Sequence, residues 1–136
     1  MTTADDLRDF AAEAGIGAVG IDLFSYIDPS ENGTMDNPPD PVAIFRSYGS
    51  EPDVMVYEQR TPALVAPRTQ VVVRSHDVNA AVAMAGQLYD LFYQSNTRIG
   101  AGYYTMLRPM GEPFPIGPDP NNRQQIAFNV RCQRYF

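Results

Sequence analysis

The sequence predicts an α+β fold: a four- to five-stranded, mainly antiparallel or mixed sheet with two helices packed on one face. Three observations carry this. Leu7, Phe10, Ala11 and Ala14, and later Val78, Ala81, Ala85, Leu88 and Phe92, step by three and four, the period of a helix with one buried face. Ile126, Phe128, Val130 and Cys132 alternate with Gln125, Ala127, Asn129 and Arg131, the period of a strand with one apolar and one wet face. Helices and strands are interleaved without repeats or linkers, so the helices must cover the sheet rather than one another.

The elements follow in order. Thr3 is placed to cap the first helix, with Asp6 completing a capping-box pattern and Gly15 as its stop. Two turns of buried side chains do not hold a helix in isolation, so this one leans on a sheet. Val19, Ile21 and Leu23 suggest a first strand from about Val19 to Tyr26. Asp28–Pro41, with four prolines, two asparagines and a glycine, reads as an irregular loop. At roughly a dozen residues it is longer than most connections. Val42–Ser47 is the second strand, Met55 and Val56 suggest a short third, and Pro62–Pro67 reads as an extended or turn segment. Gln70–Arg74 is a strand in which Val71 and Val73 face one side and Val72 the other. Asp77 caps the long helix, which is expected to run to Ser95. Gly86 within it suggests close packing on a strand. Gly102–Leu107 is a strand, Pro113–Asp119 a loop, and Arg123–Arg134 the last strand.

Composition narrows the function. At 136 residues with 44% apolar content the chain is one domain, 1–136, able to bury a core. A net charge of −6 argues against sequence-independent binding of nucleic acid, which needs a basic footprint. All ten basic residues are arginine. Coding bias accounts for that; so does a preference for arginine at subunit contacts, where its planar fork pairs carboxylates bidentately. The single cysteine, Cys132, excludes an intramolecular disulfide and a cysteine-based zinc cluster, and its place on an apolar strand face makes it a buried, inert thiol. No apolar run approaches the ~18 residues of a membrane span. The N-terminus lacks a signal-peptide layout, so synthesis in the cytosol is expected.

Motifs of catalytic type fail on their physics. Gly15-Ile16-Gly17-Ala18-Val19-Gly20 spells a dinucleotide fingerprint, but a helix precedes it and a strand follows, the reverse of what a pyrophosphate site needs. These glycines read instead as a helix stop and a tight entry to the first strand. Without lysine there is no Gly-Lys-Ser/Thr phosphate loop. His76, the only histidine, has Asp77 beside it, yet neighbouring side chains rarely point to one site, so a structural or exposed role is expected. Asn32-Gly33-Thr34 is a turn rather than a glycan acceptor. The acids Asp28, Glu31, Asp36, Asp40, Glu51, Asp53 and Glu58 crowd one irregular region, either as solvated loops or as an electronegative surface. Tyr103 and Tyr104 point to opposite sides of a strand and do not form a base-stacking platform.

Thr69-Gln70-Val71-Val72-Val73-Arg74, Gly102-Tyr103-Tyr104, Pro115-Ile116-Gly117-Pro118-Asp119 and Arg123 through Phe128-Asn129-Val130, taken in this order, resemble the tail-terminator or minor capsid proteins of long-tailed bacteriophages. The resemblance covers residues 60–134 by motif and the N-terminal half by order of elements; the loop Asp28–Pro41 has no counterpart. It implies a virion protein without cofactor or catalysis, an oligomeric ring, commonly a hexamer, on the end of the tail tube. Such a ring stops tube polymerisation, meets the head connector and lets DNA pass through its lumen. Under that reading Arg74, Arg108, Arg123, Arg131 and Arg134 are candidates to pair with acids across subunits, with Glu31, Asp36 and Asp40 on the acidic side. The loops Asp28–Asp40 and Arg108–Asn122 then contact tube and connector, and Arg123 makes an intersubunit or loop-anchoring ion pair. The rivals are another head–tail joining or head-completion protein, and a small-ligand domain built around His76.

Overall fold

A computed structural model describes residues 3–26, 40–55, 62–100 and 102–135. Its elements are α1 (Thr3–Glu13), β1 (Leu23–Ser25), β2 (Val42–Met55), β3 (Pro62–Ser75), α2 (Val78–Leu91), β4 (Gln94–Ile99), β5 (Gly102–Pro118) and β6 (Gln124–Tyr135). The strands form one six-stranded sheet in the order β1-β2-β3-β6-β5-β4. Among these strands β1 and β2 run parallel and the other pairs antiparallel. The α+β expectation therefore holds, with six strands in place of four or five.

The added strand is β4, in the stretch assigned to the end of the long helix. α2 stops at Leu91, and Phe92 caps it, its N–H donating to Leu88 O while the N–H of Tyr93 donates to Asp90 O. Beyond it, β4 runs along the sheet margin opposite Gly102–Leu107, with Asn96 in left-handed backbone. At the other margin the first strand is shorter than expected. Ala18 O accepts hydrogen bonds from the N–H groups of Ile21, Asp22 and Leu23, which makes 18–22 a turn. Val19 and Ile21 are consequently exposed, and Leu23 is the buried residue of that alternation. Gly17 permits the turn, because a Cβ there would stand 2.7 Å from Asp22 Oδ1.

The middle strands are longer than their apolar runs. β2 continues through the expected break to Met55, and β3 starts at Pro62, the pair adjusting register between Ser47 and Ser50, opposite Pro67. The expected loop Pro113–Asp119 belongs largely to β5, which stays paired with β6 to Pro118 through two register shifts. Four prolines are tolerated there for a simple reason. β4 covers β5 only as far as Leu107, so Pro109, Pro113, Pro115 and Pro118 lie where β5 is itself the sheet edge and its missing N–H groups cost little.

Both helices pack on one face. Leu7 and Ala11 of α1, and Ala81, Met84, Ala85 and Leu88 of α2, join Phe45, Val71, Val73, Leu107, Phe128 and Val130 in the core. Phe92 ties the helices together, stacked on Phe10 with ring centroids 6.5 Å apart and edge-on to Phe45 at 6.0 Å. Val78 and Ala14 fall outside this core and are exposed. The sheet was expected to be wet on its other face, but that face also carries a buried apolar row. Ile44, Val72 and Ala127 are direct cross-strand neighbours, and all three are buried. Cys132 sits in the helix-side core as expected, and burial pushes its thiol up to about 12, which keeps it protonated and inert.

Candidate assembly surfaces and their anchors

The polar residues at the start of β6 build one interlocked cluster. Asp119-Pro120-Asn121-Asn122-Arg123 is a closed turn: Asp119 N–H donates to Arg123 O at 2.9 Å, and Asn122, in left-handed backbone, donates to Asp119 O at 2.9 Å. The Asp119 carboxylate takes the N–H of Arg123 at 2.8 Å and of Asn121 at 3.0 Å on one oxygen. Its other oxygen takes Arg123 Nε at 2.8 Å. Both side chains are buried, at 0% and 1% exposure. An aspartate followed by proline closes such a turn readily, since the carboxylate caps the N–H two residues on and proline presets its own φ. Arg123 is thus a loop anchor within the chain, one of its two expected roles.

Beside it, Arg74 is buried and donates through Nε to its cross-strand partner Gln125 at 2.7 Å, while Gln125 donates to Gly117 O at 3.2 Å. Toward solvent the cluster ends in His76. Its Nδ1 lies 2.8 Å from Asp40 Oδ2, its Nε2 lies 3.2 Å from Asn121 O, and its backbone N–H donates to Asp40 at 3.0 Å. Burial pushes the Asp40 carboxyl up, but hydrogen bonds from Ser75 and from the backbone and ring of His76 outweigh this and hold it below its usual range. His76 is therefore structural and half-exposed, as expected, but its acid partner is Asp40 and not Asp77, which caps α2 by accepting from Asn79 N–H at 3.0 Å. The far ends of the two connections singled out in the sequence, Asp40 and Asn121, meet on one imidazole.

The remaining arginines lie elsewhere. Arg68, Arg131 and Arg108 are cross-strand neighbours on β3, β6 and β5, on the face away from the helices. Like charges placed directly opposite repel. Arg108 turns toward β4, donating to Gln94 O and Leu107 O at 2.9 Å each and to Ser95 Oγ at 3.1 Å, with its guanidinium 4.8 Å over the Tyr93 ring. Arg134 is half-buried on β6 opposite Tyr104. Glu31 and Asp36 lie outside the described residues.

Two features were not foreseen from the sequence. The first is a buried Asp6–Tyr104 hydrogen bond that fastens α1 to β5. Burial, and then this bond to the carboxylate, raise the Tyr104 hydroxyl well above its ordinary range, so the phenol stays a donor. The second is an apolar groove of about 400 Å³ between α2 and the distal part of β5, lined by Val82, Ala85, Gly86, Glu112, Pro113, Pro115 and Ile126. The expectation that Gly86 marks close packing on a strand fails: a Cβ there would meet nothing within 4 Å. His76 is absent from the lining, so this cavity does not converge on the histidine.

A helix-backed sheet whose charged groups fasten its own turns, and whose apolar side chains lie open between a helix and a sheet edge, has the build of a structural module. The comparisons agree. Residues 12–136 match the family model described as bacteriophage tail terminator protein, and the chain belongs to that family. It is therefore a structural protein of the phage virion. A search of curated proteins returned no match. Among solved structures, a chain of the virion of a native gene transfer agent particle shares the fold, with a TM-score of 0.59 and 14% identity over 97% of this chain and 90% of that one.

Proposed function

We propose that residues 1–136 act as one domain that assembles into a ring, a hexamer, on the end of the tail tube. There it ends tube polymerisation and presents a surface to the head connector. The observation that carries this reading is the family match over residues 12–136. The fold shared with a chain of a virion particle, at nearly full length, is consistent with it.

The work is mechanical, with no cofactor and no catalysis. His76, the residue best suited to acid–base chemistry, has both ring nitrogens in contact with acceptors of its own chain. The segments 28–40 and 108–122, the second being distal β5 and the turn that follows it, contact the tube and connector, and their shared anchor at His76 keeps those contacts in register. Arg74 and Arg123 lie inside the chain and Asp40 is held by His76, so pairing across subunits falls to Arg108, Arg131 and Arg134 with Glu31 and Asp36. DNA passes through the lumen without specific binding, which a chain of net charge −6 favours.

The test is the mass of the purified protein across a concentration series, with and without tail-tube protein. A closed ring, free or formed on tube ends, supports the reading. A monomer indifferent to tube protein transfers the role to a head-completion or connector component. Deleting residues 31–38 should leave the fold intact and impair tail completion; normal tails would remove the first loop from the contact.

A further inference from the structure

The groove between α2 and distal β5 is apolar, open and rimmed by one acid, the exposed Glu112. Val82 on its helix side is 54% exposed, and Val78, one helical turn before it, is 47% exposed. Near the other end of the sheet the surface has the opposite character. The Tyr103 and Tyr135 rings lie 5.6 Å apart, and the guanidinium of Arg98, on edge strand β4, stands 5.8 Å over Tyr103. Arg98 and Tyr135 are exposed. Resting on the ring reading above, we infer that this Arg98–Tyr103–Tyr135 edge is the ligand of the groove, supplied by the next copy of the chain.

Three physical points select that occupant. Aromatic rings with an arginine are the side chains that contribute most when they fill a desolvated pocket at an interface, and a groove of this size takes one or two rings. The charges are complementary, Glu112 at the groove and Arg98 at the knob, which fixes orientation as well as attraction. Finally, the two patches cannot meet within one chain. Ile126 in the groove wall and Tyr135 in the knob are nine residues apart on the single strand β6, a separation of about 30 Å. A contact between two different patches on identical subunits is heterologous and generates a ring when its rotation closes. Main-chain extension of the sheet is not needed for it.

The experiment is charge reversal on the full chain, read by self-association of the ring. Glu112→Arg and Arg98→Glu are each expected to weaken association by at least about tenfold, and the double variant to recover most of that loss. Val82→Asp, at an exposed helix position, should abolish ring formation with the melting temperature nearly unchanged. Wild-type-like rings from Val82→Asp and both reversals would overturn the groove assignment and leave the ring standing. Rings of Val82→Asp that no longer bind tube ends would overturn it too, assigning the groove to the tube protein. A wild-type chain that never forms a ring, even on tube ends, would remove both this inference and the reading beneath it.

Discussion

Two regions of the same sheet handle their side chains in opposite ways. At the start of β6 the polar groups close on one another: Asp119 with Arg123, Arg74 with Gln125, and His76 with Asp40 and Asn121. One helical turn into α2, and across to distal β5, apolar side chains lie open beside a glycine with empty space around it. A chain acting alone would place these the other way, with charges in water and valines covered. The difference teaches that the turn must be rigid within the monomer, whereas the groove is complete only with a further surface.

Substitutions in the first region test its rigidity, and the largest effect belongs to Arg123. Arg123→Ala strands the buried Asp119 carboxylate and should cost about 3–5 kcal/mol by chemical denaturation. Arg123→Met should cost far less when combined with Asp119→Asn, since the buried charge is removed while the amide oxygen still accepts from the N–H groups of Asn121 and Arg123. If Arg123→Ala alters neither stability nor ring assembly, the anchor assignment is wrong. At the opposite end of the sheet Tyr104→Phe leaves Asp6 buried without its phenol donor, and should lower stability by about 1–3 kcal/mol. An unchanged melting curve would show that α1 is held by apolar packing alone.

The groove predicts the opposite sign. Gly86→Ala fills open space in a helix interior and should stabilise the monomer by about 0.5–1 kcal/mol. A loss instead would mean that Gly86 is already in contact with something, which would narrow the contrast between the regions. The smallest effect is at the solvent rim of the anchored cluster. His76→Ala should cost under about 1 kcal/mol at neutral pH, because the pair is partly exposed. Its pH dependence has a definite sign. The folded Asp40 carboxyl titrates below its ordinary value of 3.8, so its contribution is full above that value and is lost as pH falls through the lower folded pKa. Wild type and His76→Ala should therefore keep their difference down to pH 3.8 and draw together only as pH falls further, through the lowered folded pKa of Asp40. Denaturant titrations from pH 7 downward would show it.

How far the sequence foretold this depended on burial pattern. β6 and α2 were legible because each buries one face against the core, which writes a period of two or near four into the residues. β4 was not, since an edge strand with only Ile99 buried has no pattern to write. Distal β5 was masked by prolines that signal a loop unless its outer neighbour is known to end at Leu107. The first strand was over-extended because Val19 and Ile21 alternate with Leu23 by coincidence, across a turn. At the candidate site, Arg123 was legible as an ion-pair residue, intersubunit or loop-anchoring, and the structure selects the second with a partner four residues away. His76–Asp40 spans 36 residues, and Asp6–Tyr104 spans 98, so neither pairing leaves a local trace.

The prolines of β5 have one more consequence. A bare sheet margin invites the strand of another molecule, and identical molecules at high local concentration can zip together into fibrils. Along Pro109–Pro118 that margin is broken every few residues by a backbone nitrogen with nothing to donate. Under the tube-end role proposed above, the chain waits among copies of itself while the tube grows. On this side such a chain is spared from sticking edge to edge during the wait.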